Sequence, residues 1–340
     1  MSDNLNEVLA RINKKYGKNT IYKIKDAEKI QVDSIPTGIK TLDYALGCGG
    51  IPKGRIIEAF GSEGSGKSSL AALICAQAQR QGDIAAYIDV EQAVNFGYFK
   101  QLGVDIDNLV FSQPDSGEEA LDTLKQLVES NAVGVIVIDS VSSLTPKSEL
   151  AGEIGDTHVA LQARMMSQAM RILTAAINNN NVAVVFINQT RMNISTTGYG
   201  GGGEVTSGGK ALKFAASMRI EIKRTEFIRK GDEVIGQKVK IKTVKNKFAA
   251  PYRVVDLEFI FGKGFSTEGM LIDMAMNAGL ITRAGAWYSY RGERVGQGKD
   301  SIVQKLNEDK NFAAQLETEV DEFIRTGKIE MPTERTGDED

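Results

Sequence analysis

A glycine-rich segment separates two stretches that are typical of a strand and of a helix. The strand-like run RIIEAF covers residues 55–60, and a run of helix formers begins at Ser68. The segment between them matches the pattern G-x-x-x-x-G-K-[ST] and consists of Gly61, Ser62, Glu63, Gly64, Ser65, Gly66, Lys67 and Ser68. Glycines let consecutive backbone N–H groups point at phosphate oxygens, and the helix N-terminus adds partial positive charge. The segment therefore predicts a phosphate-binding loop on an α/β sheet.

Side chains around this loop have the residue types that a Mg²⁺–ATP site needs. We expect Lys67 to reach the β- and γ-phosphates and the Ser68 hydroxyl to ligate Mg²⁺. The run VIVID ends at Asp139, at the C-terminal end of a buried strand, which is the edge where ligands bind in open α/β sheets. We therefore expect ATP and Mg²⁺ as cofactors, with Ser68 and Asp139 at the metal and Asp139 acting through water.

Two more polar residues follow strand-like runs and are candidates for the hydrolysis step. Glu91 ends the run YIDVE, and Gln189 follows the run VVFIN. Hydrolysis needs a group that orients the attacking water and accepts its proton, and we assign this to Glu91. A surface or helix-capping acid is the alternative reading of Glu91. Gln189 directly precedes a glycine-rich stretch, so it is placed to contact the γ-phosphate and to signal its presence to that stretch.

The composition excludes several other classes of protein. Hydrophobic residues make up 42% and charged residues 25% of the 340 residues, which is typical of a globular chain. No apolar run reaches the roughly 18 residues of a membrane span. The N-terminus lacks the apolar core of a secretory signal, so we expect a cytoplasmic protein. The two cysteines, Cys48 and Cys75, and the single His158 exclude a disulfide framework, a His-rich metal site and a Ser-His-Asp hydrolase.

The periodicity of apolar residues predicts an α/β core with a mainly parallel sheet. Further strand-like and helix-like stretches alternate with the first pair, a pattern that implies right-handed crossovers. The predicted strands are 84–89, 133–139 and 181–188, and the predicted helices are 117–131 and 161–178. Two irregular segments, about 145–159 and 190–209, interrupt the alternation, and the second contains seven glycines. Loops of this length in a compact domain are normally functional or disordered.

The same patterns divide the chain into four predicted parts. They are an N-terminal helix with its linker (1–34), an ATPase core (35–264), a small α/β C-terminal domain (265–328) and a disordered acidic tail (329–340). Helices are expected at 268–278 and 301–325 within the C-terminal domain. The N-terminal helix carries an apolar stripe that must pack on its own chain or on a neighbouring subunit.

Positive charge is concentrated in one part of an acidic chain. The formal net charge is −3. Residues 206–255 hold 13 Lys or Arg against four acids, a local charge of +9 that leaves −12 for the remainder. A basic zone on an acidic protein favours a polyanion site, and a solvated strand surface is the other reading.

From about residue 4 to about residue 325, the sequence resembles the RecA family of bacterial recombinases. The resemblance rests on nine strings besides the glycine-rich loop. They are PTGIKTLDYALGCGGIPKGR, IDVEQA, GVDIDNLVFSQPD, VIVIDSVSSLTPKSELAGEIGD, ARMMSQAMR, FINQTRM, GGKALKFAAS, VKNKFAAPY and AGAWYSYRGERVGQGK. It implies a DNA-dependent ATPase that polymerises on single-stranded DNA as a helical filament and catalyses pairing and strand exchange with duplex DNA in repair. It also implies a role in the SOS response, with the SOS repressor and single-strand-binding protein as further partners.

The family resemblance also implies roles for individual residues. ATP would lie between adjacent subunits, with Lys245 and Lys247 reaching across to the γ-phosphate and Tyr98 stacking on adenine. Phe214 would plug into the neighbouring subunit. The nucleotide contact would extend to Ser69. The DNA-facing residues would be Arg164, Ser167, Arg171, Arg191, Met192, Ile194, Gly208, Gly209 and Lys210, and Arg283 and Lys299 would gather duplex DNA.

The chain also departs from the family pattern. The second irregular segment is about two residues longer, and Asn193 stands where a basic residue is common. Gln92 replaces a His after the proposed catalytic acid. Two other functions are compatible with part of this pattern, namely a ring helicase or regulatory ATPase and a non-catalytic DNA-binding filament protein.

Overall fold

The computed structural model describes residues 2–17, 21–23, 32–153, 160–192 and 204–326. Its helices are α1 (Ser2–Tyr16), α2 (Lys40–Leu46), α3 (Lys67–Arg80), α4 (Phe96–Gln101), α5 (Gly117–Glu129), α6 (Lys147–Leu150), α7 (Leu161–Asn179), α8 (Lys210–Ala215), α9 (Thr267–Asn277), α10 (Lys299–Glu308) and α11 (Lys310–Arg325). None of these helices combines the length and hydropathy that a membrane crossing requires.

The strands complete the α/β pattern. They are β1 (Ser34–Ile35), β2 (Ile51–Pro52), β3 (Ile56–Gly61), β4 (Ile84–Asp89), β5 (Val110–Ser112), β6 (Val133–Asp139), β7 (Ala183–Met192), β8 (Glu204–Thr206), β9 (Met218–Lys230), β10 (Glu233–Asn246), β11 (Val254–Ile260), β12 (Gly264–Phe265), β13 (Ile281–Ala284), β14 (Trp287–Tyr290) and β15 (Glu293–Gln297). The chain separates into two units, Met1–Asp33 and Ser34–Asp340.

The large unit is built on a ten-stranded sheet with the order β12-β11-β10-β9-β3-β7-β6-β4-β5, and β8 pairs with β7 outside this order. The strands from β9 to β5 are parallel, and those from β9 to β12 are antiparallel. This mainly parallel sheet flanked by helices confirms the predicted fold class. Because β6 lies between β4 and β7, the carboxyl ends of the strands before the predicted functional residues meet at one edge.

The central strands are apolar on both faces because helices cover both. Val135 and Val137 of β6 pack in a core cluster with α2 and α3, and Ile136 and Ile138 pack in a second cluster with α5 and α7. This alternation follows from the two-residue period of a strand. It explains why the sequence showed continuous apolar runs instead of alternating ones.

The C-terminal part of the large unit has its own core. Helices α9, α10 and α11 pack around a three-stranded antiparallel sheet, β13-β14-β15, and Ile272, Tyr288 and Leu316 are among its buried residues. The expectation of one helix over 301–325 was wrong. Asp309 separates α10 from α11, and its carboxylate accepts hydrogen bonds from Asn311 N and Phe312 N. This N-cap starts a new helix, a local signal that the apolar period does not contain.

The second irregular segment also differs from its expected form at both ends. Thr190–Met192 continue β7, and Glu204–Thr206 form β8, which pairs antiparallel with β7. The predicted loop over 190–209 therefore begins and ends as a two-stranded ribbon. Residues 193–203, which include Ile194, lie outside the described residues, as do residues 154–159 of the first irregular segment.

The small unit begins with helix α1, which agrees with the predicted amphipathic pattern, and the chain after α1 returns to the helix at Ile21. The Asn13 side chain makes two hydrogen bonds with the Ile21 backbone, from Nδ2 to O at 2.9 Å and from N to Oδ1 at 3.0 Å. The predicted tail over 329–340 lies outside the described residues.

Candidate functional site

The carboxyl ends of four neighbouring strands bring the predicted functional residues together. Asp89 of β4 lies opposite Asp139 of β6, and Gly61 of β3 lies opposite Gln189 of β7. The glycine-rich loop leaves β3 at this edge and enters α3. Residues that are far apart in sequence therefore share one edge of the sheet, as the sequence predicted.

The loop has a conformation that depends on its glycines. Gly64 and Gly66 have φ values of 67° and 97°, in the left-handed region that favours glycine. A Cβ on Gly66 would also lie 3.3 Å from the Phe265 ring. The Ser65 hydroxyl, which is fully buried, is the one buried side-chain polar atom without a hydrogen-bond partner in the described chain. An orphaned hydroxyl inside such a loop fits a bound phosphate, because buried polar groups are otherwise satisfied.

The Lys67 side chain folds back onto the phosphate-binding loop to which it belongs. It is buried, and Nζ donates to the Ser62 carbonyl oxygen at 2.7 Å. Burial lowers the pKa of the Lys67 ammonium, and the carboxylates of Asp139, Glu91 and Glu63 oppose this shift. The ammonium is therefore held in the loop by neutral backbone and nearby negative charge, which is the setting a phosphate-binding cation needs.

The two predicted metal residues are in direct contact. Ser68 Oγ donates to Asp139 Oδ2 at 2.6 Å, and Tyr87 OH donates to the same oxygen at 2.7 Å. Burial raises the pKa of Asp139, the hydrogen bonds from Ser68 and Tyr87 lower it, and the nearby charges of Glu91 and Asp89 raise it. A hydroxyl beside a carboxylate offers the hard oxygen ligands that Mg²⁺ prefers, so these residues fit the expected cation.

Glu91 and Gln189 are also brought together. Glu91 Oε1 accepts hydrogen bonds from Gln189 Nε2 and from Ser140 Oγ, both at 2.6 Å. Ser140 is fully buried and its hydroxyl also contacts Ser142 Oγ at 2.6 Å. Glu91 itself is exposed, so its carboxylate is oriented by neighbours and still accessible to water. The sequence did not indicate Ser140, although it directly follows Asp139.

Tyr98 lies next to the loop helix. Its hydroxyl is 3.0 Å from Ser69 Oγ, which connects α4 to the first turn of α3. The α4 helix is capped by Asn95, whose side chain accepts from Tyr98 N at 3.0 Å. The cap fixes the start of α4, and this keeps Tyr98 beside the first turn of α3.

One residue that supports the loop was missed. Gln237 of β10 is buried, and its Nε2 donates to the Gly64 carbonyl oxygen at 2.7 Å. The bond joins positions 173 residues apart. In the sequence, Gln237 is one of several polar residues in β10, and nothing in this pattern indicates that Gly64 is its partner.

A buried polar network extends from Gln189 into the sheet. Asn188, which is fully buried, accepts from Gln189 N at 2.9 Å and donates from Nδ2 to Glu58 Oε1 at 2.9 Å and to Ser207 O at 3.0 Å. Glu58 Oε2 in turn accepts from Arg219 Nε at 2.5 Å. Charged residues inside the apolar runs RIIEAF and MRIEI were the sequence signal for this pair. The network links the hydrolysis site to the end of the second irregular segment.

The predicted DNA-facing residues lie on one helix face and at the ends of the second segment. Arg164, Ser167 and Arg171 are exposed on α7 at positions i, i+3 and i+7, which share a face. Gly208 and Gly209 lie against this region, because a Cβ on Gly208 would meet Val141 and one on Gly209 would meet Ala163 of α7. Arg191 and Lys210 of the same set are also exposed, and the Met192 side chain lies outside the described part of the chain.

The two predicted interfacial lysines lie away from the loop of their own chain. Lys245 Nζ donates to the carbonyl oxygens of Lys213 and Phe214 at 3.0 Å each, at the C-terminal end of α8. Lys247 is exposed. The Phe214 ring is 71% exposed at the same place. Phe214 is thus an exposed aromatic side chain next to Lys245, and it is accessible to a neighbouring subunit.

In the C-terminal domain, the predicted duplex-gathering residues differ in their surroundings. Lys299 Nζ is 3.0 Å from Asp273 Oδ2 and 3.5 Å from Glu258 Oε1, so its charge is already matched by two carboxylates. Arg283 is exposed and its Nε donates to the Gly285 carbonyl oxygen at 2.9 Å.

Comparison with known proteins identifies the family. The RecA N-terminal domain matches residues 3–266, and the RecA C-terminal domain matches residues 269–325. The chain belongs to the RecA family. Proteins named Protein RecA are similar over nearly the whole length. The one from Methylococcus capsulatus is 48% identical over 97% of this chain and 94% of its own length. Those from Synechococcus elongatus and Xylella fastidiosa are each 49% identical, over 95% and 99% of this chain and 90% and 96% of their own.

As a RecA-family member, the chain is a DNA-dependent ATPase that uses ATP with Mg²⁺. It is a recombinase that forms filaments on single-stranded DNA and acts in homologous recombination, DNA repair and the SOS response. The family match covers both the ATPase core and the C-terminal domain. It therefore favours the recombinase over the two alternatives, a ring helicase or regulatory ATPase and a non-catalytic filament protein.

Proposed function

We propose that residues 61–69 bind the ATP phosphates, with Lys67 at the β- and γ-phosphates and Ser68 and Asp139 at Mg²⁺. The observation that supports this most directly is the 2.6 Å contact between Ser68 Oγ and Asp139 Oδ2 beside the unpartnered Ser65 hydroxyl. Ser68 and Asp139 would hold Mg²⁺ there, and the cation would supply positive charge that offsets the negative charge of the phosphates. Lys67 would exchange the Ser62 carbonyl oxygen for phosphate, which is a stronger, charge-assisted bond.

We assign the hydrolysis step to Glu91, with Gln189 as the group that senses the γ-phosphate. Gln189 Nε2 occupies Glu91 Oε1 at 2.6 Å in this structure. If the amide turns to a phosphate oxygen, Glu91 Oε1 keeps only its hydrogen bond from Ser140 and is freer to orient a water and accept its proton. The turn of Gln189 would thus link hydrolysis to the presence of the γ-phosphate. Tyr98, next to Ser69, would stack on the adenine.

The DNA-facing surface in this proposal is the α7 face with Arg164, Ser167 and Arg171, together with the ends of the segment over 190–209. Arginine side chains and glycine N–H groups grip phosphates without reading bases, as a recombinase for any sequence requires. Asn188 connects this surface to the hydrolysis site, since its side chain bonds both Gln189 N and Ser207 O. The remaining residues of the set are Arg191, Met192, Ile194, Gly208, Gly209 and Lys210.

The filament would place ATP at the seam between protomers. Phe214 would insert into the neighbour, and Lys245 and Lys247 would reach the neighbour's γ-phosphate. Burial and the charges of Lys247 and Arg219 lower the pKa of Lys245, so a bound triphosphate would stabilise its charged form. The α1 unit would dock on the neighbouring subunit. We place the protein in the cytoplasm, with the SOS repressor and single-strand-binding protein as further partners.

Mixed filaments test this arrangement. Glu91→Gln leaves a protomer with an intact Lys245 but no base, and Lys245→Ala leaves a protomer with an intact base. Each variant alone should hydrolyse ATP slowly on single-stranded DNA. An equal mixture should restore hydrolysis at about a quarter of the seams, since an asymmetric interface combines one residue from each side.

Two controls accompany the mixture. Lys310→Ala, which removes an exposed lysine from the C-terminal domain, should hydrolyse ATP as fast as the unaltered protein. Glu91→Gln mixed with a Glu91→Gln/Lys245→Ala double variant should show no recovery. Equal rates for the productive mixture and this last one would refute the seam, as would an unimpaired Lys245→Ala protein.

A further inference from the structure

Tyr87 is a buried tyrosine in a strand that is otherwise apolar up to its final aspartate. Its side chain is fully buried beneath α3, and its ring packs edge-on against Phe99 with centroids 5.1 Å apart. A phenylalanine would fill this space without a polar atom. Burying a phenolic hydroxyl is unfavourable unless it finds a partner, and this hydroxyl donates to Asp139 Oδ2 at 2.7 Å.

The strand register makes this contact rigid. Tyr87 lies opposite Val137 in the β4–β6 pair, and Asp89 lies opposite Asp139. Tyr87 and Asp139 are therefore diagonal neighbours on the face that packs against α3, within reach of a long side chain. The main chain of Asp139 is fixed as well, because its carbonyl oxygen accepts from Val90 N at 2.6 Å and Glu91 N at 3.2 Å.

The two donors to Asp139 differ in what else they can do. Ser68 Oγ, at 2.6 Å from Oδ2, is the hydroxyl assigned to Mg²⁺, so its bond to the carboxylate must adapt when the cation binds. Tyr87 lies in the core and has no such second task. Asp139 Oδ1 accepts no hydrogen bond from the residues that the structure describes.

We propose that Tyr87 is a positioning residue of the Mg²⁺ site, whose hydroxyl holds Asp139 Oδ2 in place while Oδ1 serves the water shell of the cation. The inference rests on the assignment of Ser68 and Asp139 to Mg²⁺ made above. Tyr87 touches neither ATP nor metal in this scheme and acts only through Asp139. It makes the carboxylate orientation independent of Ser68, which a phenylalanine could not do.

The test measures how tightly the full-length protein without DNA binds a fluorescent ATP analogue. The affinity is measured once in buffer with Mg²⁺ and once in buffer with a chelator, and the two affinities are compared as a ratio. Tyr87→Phe removes one oxygen and keeps the ring. We expect the ratio of the two affinities to fall by roughly threefold to tenfold, as for one net hydrogen bond, while the affinity in chelator stays unchanged. In a separate assay on single-stranded DNA, the Mg²⁺ concentration that half-saturates ATP hydrolysis should rise by a similar factor, with little change in kcat at saturating Mg²⁺.

Tyr290→Phe is the matched control. Its hydroxyl donates to Glu319 at 2.8 and 2.9 Å in the C-terminal domain, so it loses a tyrosine–carboxylate bond away from the nucleotide. This variant should keep the affinity ratio of the unaltered protein. In an Asp139→Ala background, which lacks the accepting oxygen, Tyr87→Phe should have no further effect on the ratio.

Three results would decide against the inference. If Tyr87→Phe weakens binding equally with Mg²⁺ and with chelator, the tyrosine is only a packing residue. If its effect persists in full beside Asp139→Ala, it acts through another group. If the unaltered protein itself binds the analogue equally well in both conditions, the Mg²⁺ assignment fails, and this inference fails with it.

Discussion

The buried ion pair between Glu58 and Arg219 gives a quantitative prediction. Glu58 is fully buried and Arg219 is 5% exposed, with Nε 2.5 Å from Oε2. Arg219→Met keeps an apolar stem over the Phe60 ring, where the guanidinium lies 4.4 Å from the centroid, but it leaves the carboxylate without its cation. Removing one partner of a buried pair costs about 3–5 kcal/mol, whereas removing both is often nearly neutral.

Urea unfolding followed by far-ultraviolet circular dichroism, without nucleotide or DNA, measures this cost. With a slope of about 3 kcal/mol per molar, the midpoint should fall by more than about 1 M. The double variant Glu58→Gln/Arg219→Met should recover part of the loss, because it removes the unpaired charge and its amide oxygen still accepts the hydrogen bond from Asn188.

Two outcomes would contradict this reasoning. A loss below about 1 kcal/mol for Arg219→Met would mean that water reaches the carboxylate, as at an exposed pair. A double variant that is less stable than Arg219→Met alone would mean that the unpaired carboxylate is not the source of the loss.

Three further predictions concern other sites. Burial raises the pKa of Asp43 from 3.8 to about 6, so the folded state binds this proton more tightly and the free energy of unfolding falls as the pH rises from about 4 to about 6. Asp43→Asn lacks this titration. Its free energy of unfolding, measured by urea titration and compared with that of the unaltered protein, should therefore increase from about pH 4 to about pH 6. Phe214→Ala, at a ring that is 71% exposed, should change the free energy of unfolding by less than about 0.5 kcal/mol and yet prevent filaments in negative-stain images; filaments of normal length would exclude its role as a plug. Gln237→Leu removes the 2.7 Å bond to Gly64 and should weaken binding of the ATP analogue by about 1 kcal/mol, with an unchanged affinity ruling out support of the loop.

The nucleotide loop and its neighbours could be predicted because their signals are local. The pattern Gly61–Ser68, the acid that ends VIVID and the apolar runs each depend on a short stretch of chain. The parallel sheet then brings strand ends together without further information, so Asp139 meets Ser68 and Glu91 meets Gln189 as expected. The break at Asp309 and the strands at both ends of 190–209 were missed, because a capping side chain and a strand pairing compete with the apolar period.

By itself, the amino-acid sequence determined the fold class, the chemistry of the loop and the family. Only the tertiary structure decided that Tyr87 holds Asp139, that Gln237 supports Gly64 and that Asn188 joins Gln189 to Ser207. The partners in the first two of these contacts are 52 and 173 residues apart. The physical reason is that periodicity and motifs describe neighbours along the chain, whereas a hydrogen bond between strands depends on their order and register in the sheet.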